Sequence, residues 1–293
     1  MMMHNYLRAV GFSEIVNRTD FDKLMETILE QATDKQTIPI NDKLSFAEIR
    51  WVSSDTMGIT LRGEYDEDGK FHIENYFPYY TSNLISTNDL VMVSKRVDTD
   101  AYTGMCDDYR LGVSLIFYLQ NTIEFLKAKE KNMVYGRNHV IRLAGLSIEG
   151  KILLPVDRSS ITEKYKAMDP KRRNNLIAEA KKGNQEAIDS LTIEDIDLYA
   201  VVSRRIKYED IYSIVETSFV PYGSESDNYS IIATIQSSKL VENSITKEKI
   251  YELELCCNDL KFQVCINKKD LYGEPLPGRR FKGNIWMQGR IEF

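Results

Sequence analysis

Residues 251–266 alternate apolar and polar side chains on both sides of Asn258-Asp259, and no other stretch constrains the fold as tightly. A two-residue loop there sets Cys257 opposite Leu260, Leu255 opposite Phe262, Leu253 opposite Val264 and Tyr251 opposite Ile266. All four pairs are apolar, and slipping the register by one residue would turn every one of them to the wrong face. Strand patterns also cover Ile211–Phe219, Tyr229–Val241 and Arg279–Phe293. Five strands separated by turns rich in Gly, Pro, Asn and Asp predict a small barrel-like module, of OB-like or SH3-like kind, over residues 209–293.

The N-terminal half mixes both periods. A short strand is expected around Tyr6–Phe12, followed by a helix with Thr19 as its cap, since Phe21, Leu24, Met25, Ile28 and Leu29 form one apolar stripe. Ile59–Tyr65 then alternates into Asp66-Glu67-Asp68-Gly69, a hairpin loop that sets Tyr65 opposite Phe71, Glu64 opposite His72 and Arg62 opposite Glu74. Leu90–Val97 and Tyr109–Leu119 read as strands, and Asn121 with Glu124 starts a helix. Val140–Ser147 and Lys151–Val156 read as a second hairpin around Glu149-Gly150. Residues 1–158 are thus expected to form an α+β domain. Asp169-Pro170, Gly183, Asn184 and Thr192 mark helix boundaries, making 159–208 a helical connector reaching about Lys207. The fold class is α+β in three parts.

Charge and cysteine usage narrow the functions open to such a chain. The 293 residues carry a net charge of −6, which weighs against a broad nucleic-acid footprint and favours a protein or small-molecule partner. Four cysteines without C-x-x-C spacing and three widely separated histidines imply no metal site, and nothing implies a cofactor. The longest apolar run, Leu115–Leu119, falls far short of the roughly 20 residues that span a bilayer. Met1–Arg8 lacks the apolar stretch of a signal peptide, so no membrane association and a cytoplasmic setting are expected.

Three motifs bear on chemistry. Gly145–Lys151 fits G-x-x-x-x-G-K, but Ile152 stands where a phosphate loop needs Ser or Thr, and the stretch reads as a hairpin turn instead. Asp98–Arg110 is rich in carboxylates; Asp107, Asp108 and Arg110 are the candidate site if the protein is an enzyme, most simply a hydrolase. The last strand turns Phe281, Ile285, Met287, Ile291 and Phe293 to a core. That leaves Arg280, Lys282, Trp286, Gln288 and Arg290 on its other face, a composition that stacks and hydrogen-bonds a ligand if exposed or seals a domain seam if covered.

Tyr6–Ser13, Cys106–Asn121 and Gly278–Arg290 together resemble an uncharacterised family of Gram-positive bacterial proteins, a domain of unknown function. The resemblance spans nearly the whole chain and implies a bacterial, cytoplasmic protein; it brings no activity, ligand or catalytic residue. The functional expectation is a non-enzymatic binding or regulatory protein using the Trp286 face, with the carboxylate loop as the enzymatic alternative.

In the hairpin register Cys256 falls opposite Lys261 and Cys265 opposite Glu252. Four strand positions separate them, roughly 13 Å against the ~7 Å that a disulfide tolerates between Cα atoms. Mass spectrometry of the unreduced protein is expected to find no Cys256–Cys265 link; finding one would overturn the register.

Overall fold

The structure, a computed structural model, describes residues 4–97, 101–108, 110–156, 170–193 and 210–293. Both helices and strands are present, and the fold class is α+β. The expected helix from Thr192 to about Lys207 lies almost wholly outside the described residues. No helix among the described residues is long and apolar enough to cross a membrane.

Four antiparallel strands make a small sheet in chain order: β1 (Asp34–Pro39), β2 (Ser45–Ser54), β3 (Met57–Tyr65) and β4 (Phe71–Tyr80). The β3–β4 hairpin keeps Tyr65 opposite Phe71 and Glu64 opposite His72, as the alternation predicts. Beyond that point β4 carries one extra residue, so Arg62 faces Asn75 instead of Glu74. Strands β1 and β2 escape the sequence reading because Asp34–Pro39 is polar, while β2 is buried almost throughout and shows little alternation.

A larger sheet takes the rest: β5 (Thr87–Asp89), β6 (Met92–Lys95), β7 (Tyr102–Asp108), β8 (Val113–Leu119), β9 (His139–Leu153), β10 (Ser218–Pro221), β11 (Asn228–Glu242), β12 (Lys249–Cys257), β13 (Leu260–Asn267), β14 (Leu271–Tyr272) and β15 (Arg280–Glu292). The β12–β13 hairpin has the predicted register at all four apolar pairs. Strand β9 lies between β13, to which it is parallel, and β15, to which it is antiparallel. Strand β11 pairs with β12 through residues 234–242 and with β15 through residues 228–234. The expected boundaries at 158 and 209 therefore mark no break in the sheet: a strand from before the connector is hydrogen-bonded between two strands from after it.

Four local expectations are corrected. Residues Asn5–Val10 form a 3₁₀ turn instead of a strand, because His4 accepts a hydrogen bond from the Tyr6 amide and Gly11 ends the turn at φ 92°. The first helix, α1 (Arg18–Gln31), is capped by Asn17, whose side chain accepts from the Asp20 amide, and not by Thr19. The stretch around Glu149-Gly150 is no turn: it continues β9, and a Cβ on Gly150 would meet the Phe281 ring at 2.4 Å. Residues Ile211–Ile214 are helical, leaving only Ser218–Pro221 as the strand expected over 211–219. Two helix starts agree, α2 (Thr122–Glu130) after Asn121 and α3 (Pro170–Lys181) at Pro170. The strand expected over 109–119, by contrast, starts only at Val113, that over 90–97 covers only Met92–Lys95, and Thr192 lies within a helix instead of starting one.

Two large apolar clusters result, with a third, small one of Ile38, Phe46 and Ile123. One holds Leu253, Leu255, Phe262, Val264, Phe281, Ile285 and Met287. The other joins α1 and the small sheet to the large one, uniting Phe21, Ile59, Tyr76, Tyr118, Leu146 and Trp286. Where β3 and β4 meet β8, Arg62 is fully buried. Its guanidinium donates to Glu48 at 2.7 Å, to the Tyr118 hydroxyl and the Leu119 carbonyl at 2.9 Å each, and to the Gln120 carbonyl at 3.2 Å. It also lies over the Phe77 and Tyr118 rings, 4.5 and 5.2 Å from their centroids. A buried charge persists only when it is this fully satisfied.

Arg62→Met is expected to destabilise the protein by roughly 3–5 kcal/mol in urea unfolding, because it strands the Glu48 carboxylate. Adding Glu48→Gln should cost little more, as the two residues act as one unit. Additive losses would show that the pair is not coupled.

Candidate functional site

The five residues expected to share one face of the last strand are largely enclosed. Arg280 is buried and donates to the carbonyls of Leu154, Tyr212 and Val215. Lys282 reaches the Tyr212 hydroxyl at 2.5 Å, with its ammonium over that ring. Gln288 is buried between Gln120 and the Pro78 carbonyl. Arg290 is half-buried against Glu124. Trp286 is 5 % exposed. Of the two readings left open for this face, the covered seam is the one observed: the small sheet, the N-terminal turn and the segment before β11 cover this side of β15. Both faces of β15 are packed, a situation that residue alternation cannot signal.

The carboxylate loop also rearranges. Asp107 and Asp108 are neighbours on β7, so their side chains take opposite faces. Asp107 is exposed and accepts from the Ser114 hydroxyl at 2.5 Å. Asp108 is buried and binds Arg110 through both carboxylate oxygens, at 2.5 and 3.0 Å. Arg110 further donates to the Ser86 and Asp259 carbonyls. Two carboxylates pointing apart, one locked in an ion pair, do not make an acid–base couple. Residues 98–100 and 109 of that loop lie outside the described residues.

The seam that buries Trp286 does not close completely. A cleft of about 630 Å³ opens where the N-terminal turn, β4, β8 and β15 meet. Its aromatic wall starts from Trp286, whose indole stacks on the His4 ring at 4.5 Å and meets the Tyr118 ring edge-on at 5.0 Å. Tyr6 lies 5.6 Å from the indole, and Tyr76 and Phe77 of β4 complete the lining. Tyr118 also connects the cleft to the seam, because its hydroxyl is one of the Arg62 acceptors.

The polar side of the cleft centres on Asp227. Its carboxylate accepts from the Trp286 indole N–H at 3.0 Å and from Arg96 at 2.5 Å. The backbone reinforces this placement, since the Met287 amide donates to the Asp227 carbonyl at 2.8 Å. Arg96 extends to Glu225 at 3.5 Å, and Glu74, Asn75 and Asn228 line the remainder. Burial raises the Asp227 pKa, against the lowering effects of Arg96 and the indole hydrogen bond. Burial, and after it Arg96, pushes His4 down to about 4, which leaves its ring neutral at physiological pH. Burial, followed by Asp227, pushes the Tyr6 phenol up to about 12.

Of these residues the sequence reading singled out only Trp286. Arg96, Tyr118, Asp227 and the N-terminal rings come from four separate stretches, and no spacing rule links them. One signal did exist: Tyr6, Tyr118 and Trp286 each fall in one of the three segments that carry the family resemblance. These distant segments meet at the cleft.

No curated protein and no solved structure matches the chain. Residues 7–289, nearly the whole chain, match the family described as "Domain of unknown function, E. rectale Gene description (DUF3881)". E. rectale is a Gram-positive gut bacterium, in keeping with the resemblance. The chain belongs to this family of proteins of unknown function.

Proposed function

We propose that the protein is a non-enzymatic binding protein that takes a small ligand into the cleft at the junction of its two sheets. The observation that carries this reading is the aromatic cleft itself, with rings on one wall and the buried Asp227–Arg96 pair on the other. Apolar walls with a few converging polar groups are the usual construction of a small-molecule site, and about 630 Å³ falls within the usual size range. Catalysis would need a proton carrier or nucleophile poised toward the space. Here Asp227 is engaged by two donors, Glu225 pairs with Arg96, and the His4 ring is stacked on Trp286.

The circuit of pairings from β11 through β12, β13, β9 and β15 back to β11 is consistent with a small barrel, the finer form of the α+β fold. In this reading the barrel includes β9, and the small sheet packs over it to leave the cleft. A cytoplasmic setting fits the four free thiols, three of them buried.

Ligand-observed NMR against a mixed library of small metabolites tests the proposal. At least one compound should bind the wild type and lose binding to Tyr6→Ala, which removes a half-buried ring from the cleft rim at a modest loss of stability, with the protein still folded at the temperature of the measurement. If every compound that binds does so equally to both proteins, the cleft is not the site.

A further inference from the structure

The lining of the cleft also indicates what kind of ligand it holds, an inference that rests on the binding reading above. Three carboxylates, Glu74, Glu225 and Asp227, face one guanidinium, Arg96. The Tyr118 ring, with Arg96 lying 5.9 Å from its centroid, adds the negative side of its quadrupole. On the polar side Asn228 lines the cleft, and its side-chain oxygen is buried without a hydrogen-bond partner. An orphan acceptor of this kind is uncommon inside a folded protein, and a rotation of the amide would present it to a donor brought by a ligand.

The chain's own Arg96 shows how a cation is held here. Its guanidinium lies 2.5 Å from an Asp227 oxygen and 5.9 Å from the Tyr118 ring centroid. The side chain is 28 % exposed, so it has a path to solvent that the almost fully enclosed Asp227 lacks. An incoming cation can take over Asp227 and release Arg96 to water with no charge left unpaired. An anion would have to draw Arg96 away and leave the buried carboxylate alone, which is costly. His4, neutral at physiological pH, offers an anion no compensating charge.

We propose that the cleft binds a small organic cation bearing N–H donors, such as an amidine, a guanidine or a primary amine, with the charge against Asp227 and Glu225 and the body along the Tyr118 ring, beside Trp286.

The chain has two tryptophans, so the indole N–H region of an NMR spectrum contains two signals that a Trp51→Phe variant assigns. Benzamidine, benzamide and benzoate share one shape and differ in charge, and agmatine supplies a flexible guanidinium. Benzamidine or agmatine should shift the Trp286 signal and leave Trp51 in place, binding at least about ten-fold tighter than benzamide, with benzoate weakest. Glu225→Gln, at a side chain 61 % exposed, should weaken the cations several-fold without lowering the melting temperature. Benzoate binding as tightly as benzamidine, or no dependence on charge, would overturn the cationic ligand while keeping the cleft as a site. Silence from both cations would also overturn it, and the wider library screen would then judge the cleft independently.

Discussion

Arg62 stands where the small sheet meets the large one, and the arrangement around it depends on keeping its charge satisfied. The side chain has no exposure, and its donors reach a carboxylate on β2, a phenol on β8 and backbone carbonyls at the end of β8. Removing an arginine from water is worthwhile only if nearly every donor is met. Each of those acceptors therefore fixes one element relative to another. Glu48 ties β2 to β3, the Leu119 and Gln120 carbonyls tie β3 to the start of α2, and Tyr118 carries the link across to Trp286.

The cleft follows from that junction. Tyr118 is held from behind by Arg62, Trp286 packs edge-on against it, and Asp227 fixes the indole from the other side. Rings pinned at both ends form a preorganised wall, so a ligand entering the cleft would pay little to order it. The same packing explains why the last strand has no free face. Its apolar residues fill the larger core, and its polar residues are used up in contacts with the elements laid over them.

Much of this fold was legible locally. The hairpin at Asn258-Asp259, the apolar stripe of α1, the Asp66–Gly69 turn and the proline start of α3 rest on short-range rules, and each appears in place. What could not be read depends on layering. Alternation shows that Trp286 and Leu255 take opposite faces of the sheet, but it cannot say whether the second face meets water or another sheet. The Gly145–Lys151 stretch illustrates the same limit: Gly150 looks like a turn residue until Phe281 is seen packed against it. Arg62 gave no hint of burial, since an arginine that alternates with Leu61 and shares its face with Thr60 and Glu64 reads as a surface residue. The candidate site was legible only in part, because Trp286 was identified while Asp227, Arg96 and Tyr118 reach it through long-range pairing.

The claim on which the rest stands is that Trp286 belongs to the seam between the sheets, forming the inner wall of the cleft. Urea unfolding of Trp286→Ala tests it most directly, with no ligand needed. A buried indole, stacked on His4 and hydrogen-bonded to Asp227, predicts a loss of roughly 3–5 kcal/mol with the protein still unfolding in one transition. A loss below about 0.5 kcal/mol, the range of ordinary surface positions, would mean that the indole is exposed and that the sheets do not meet as described.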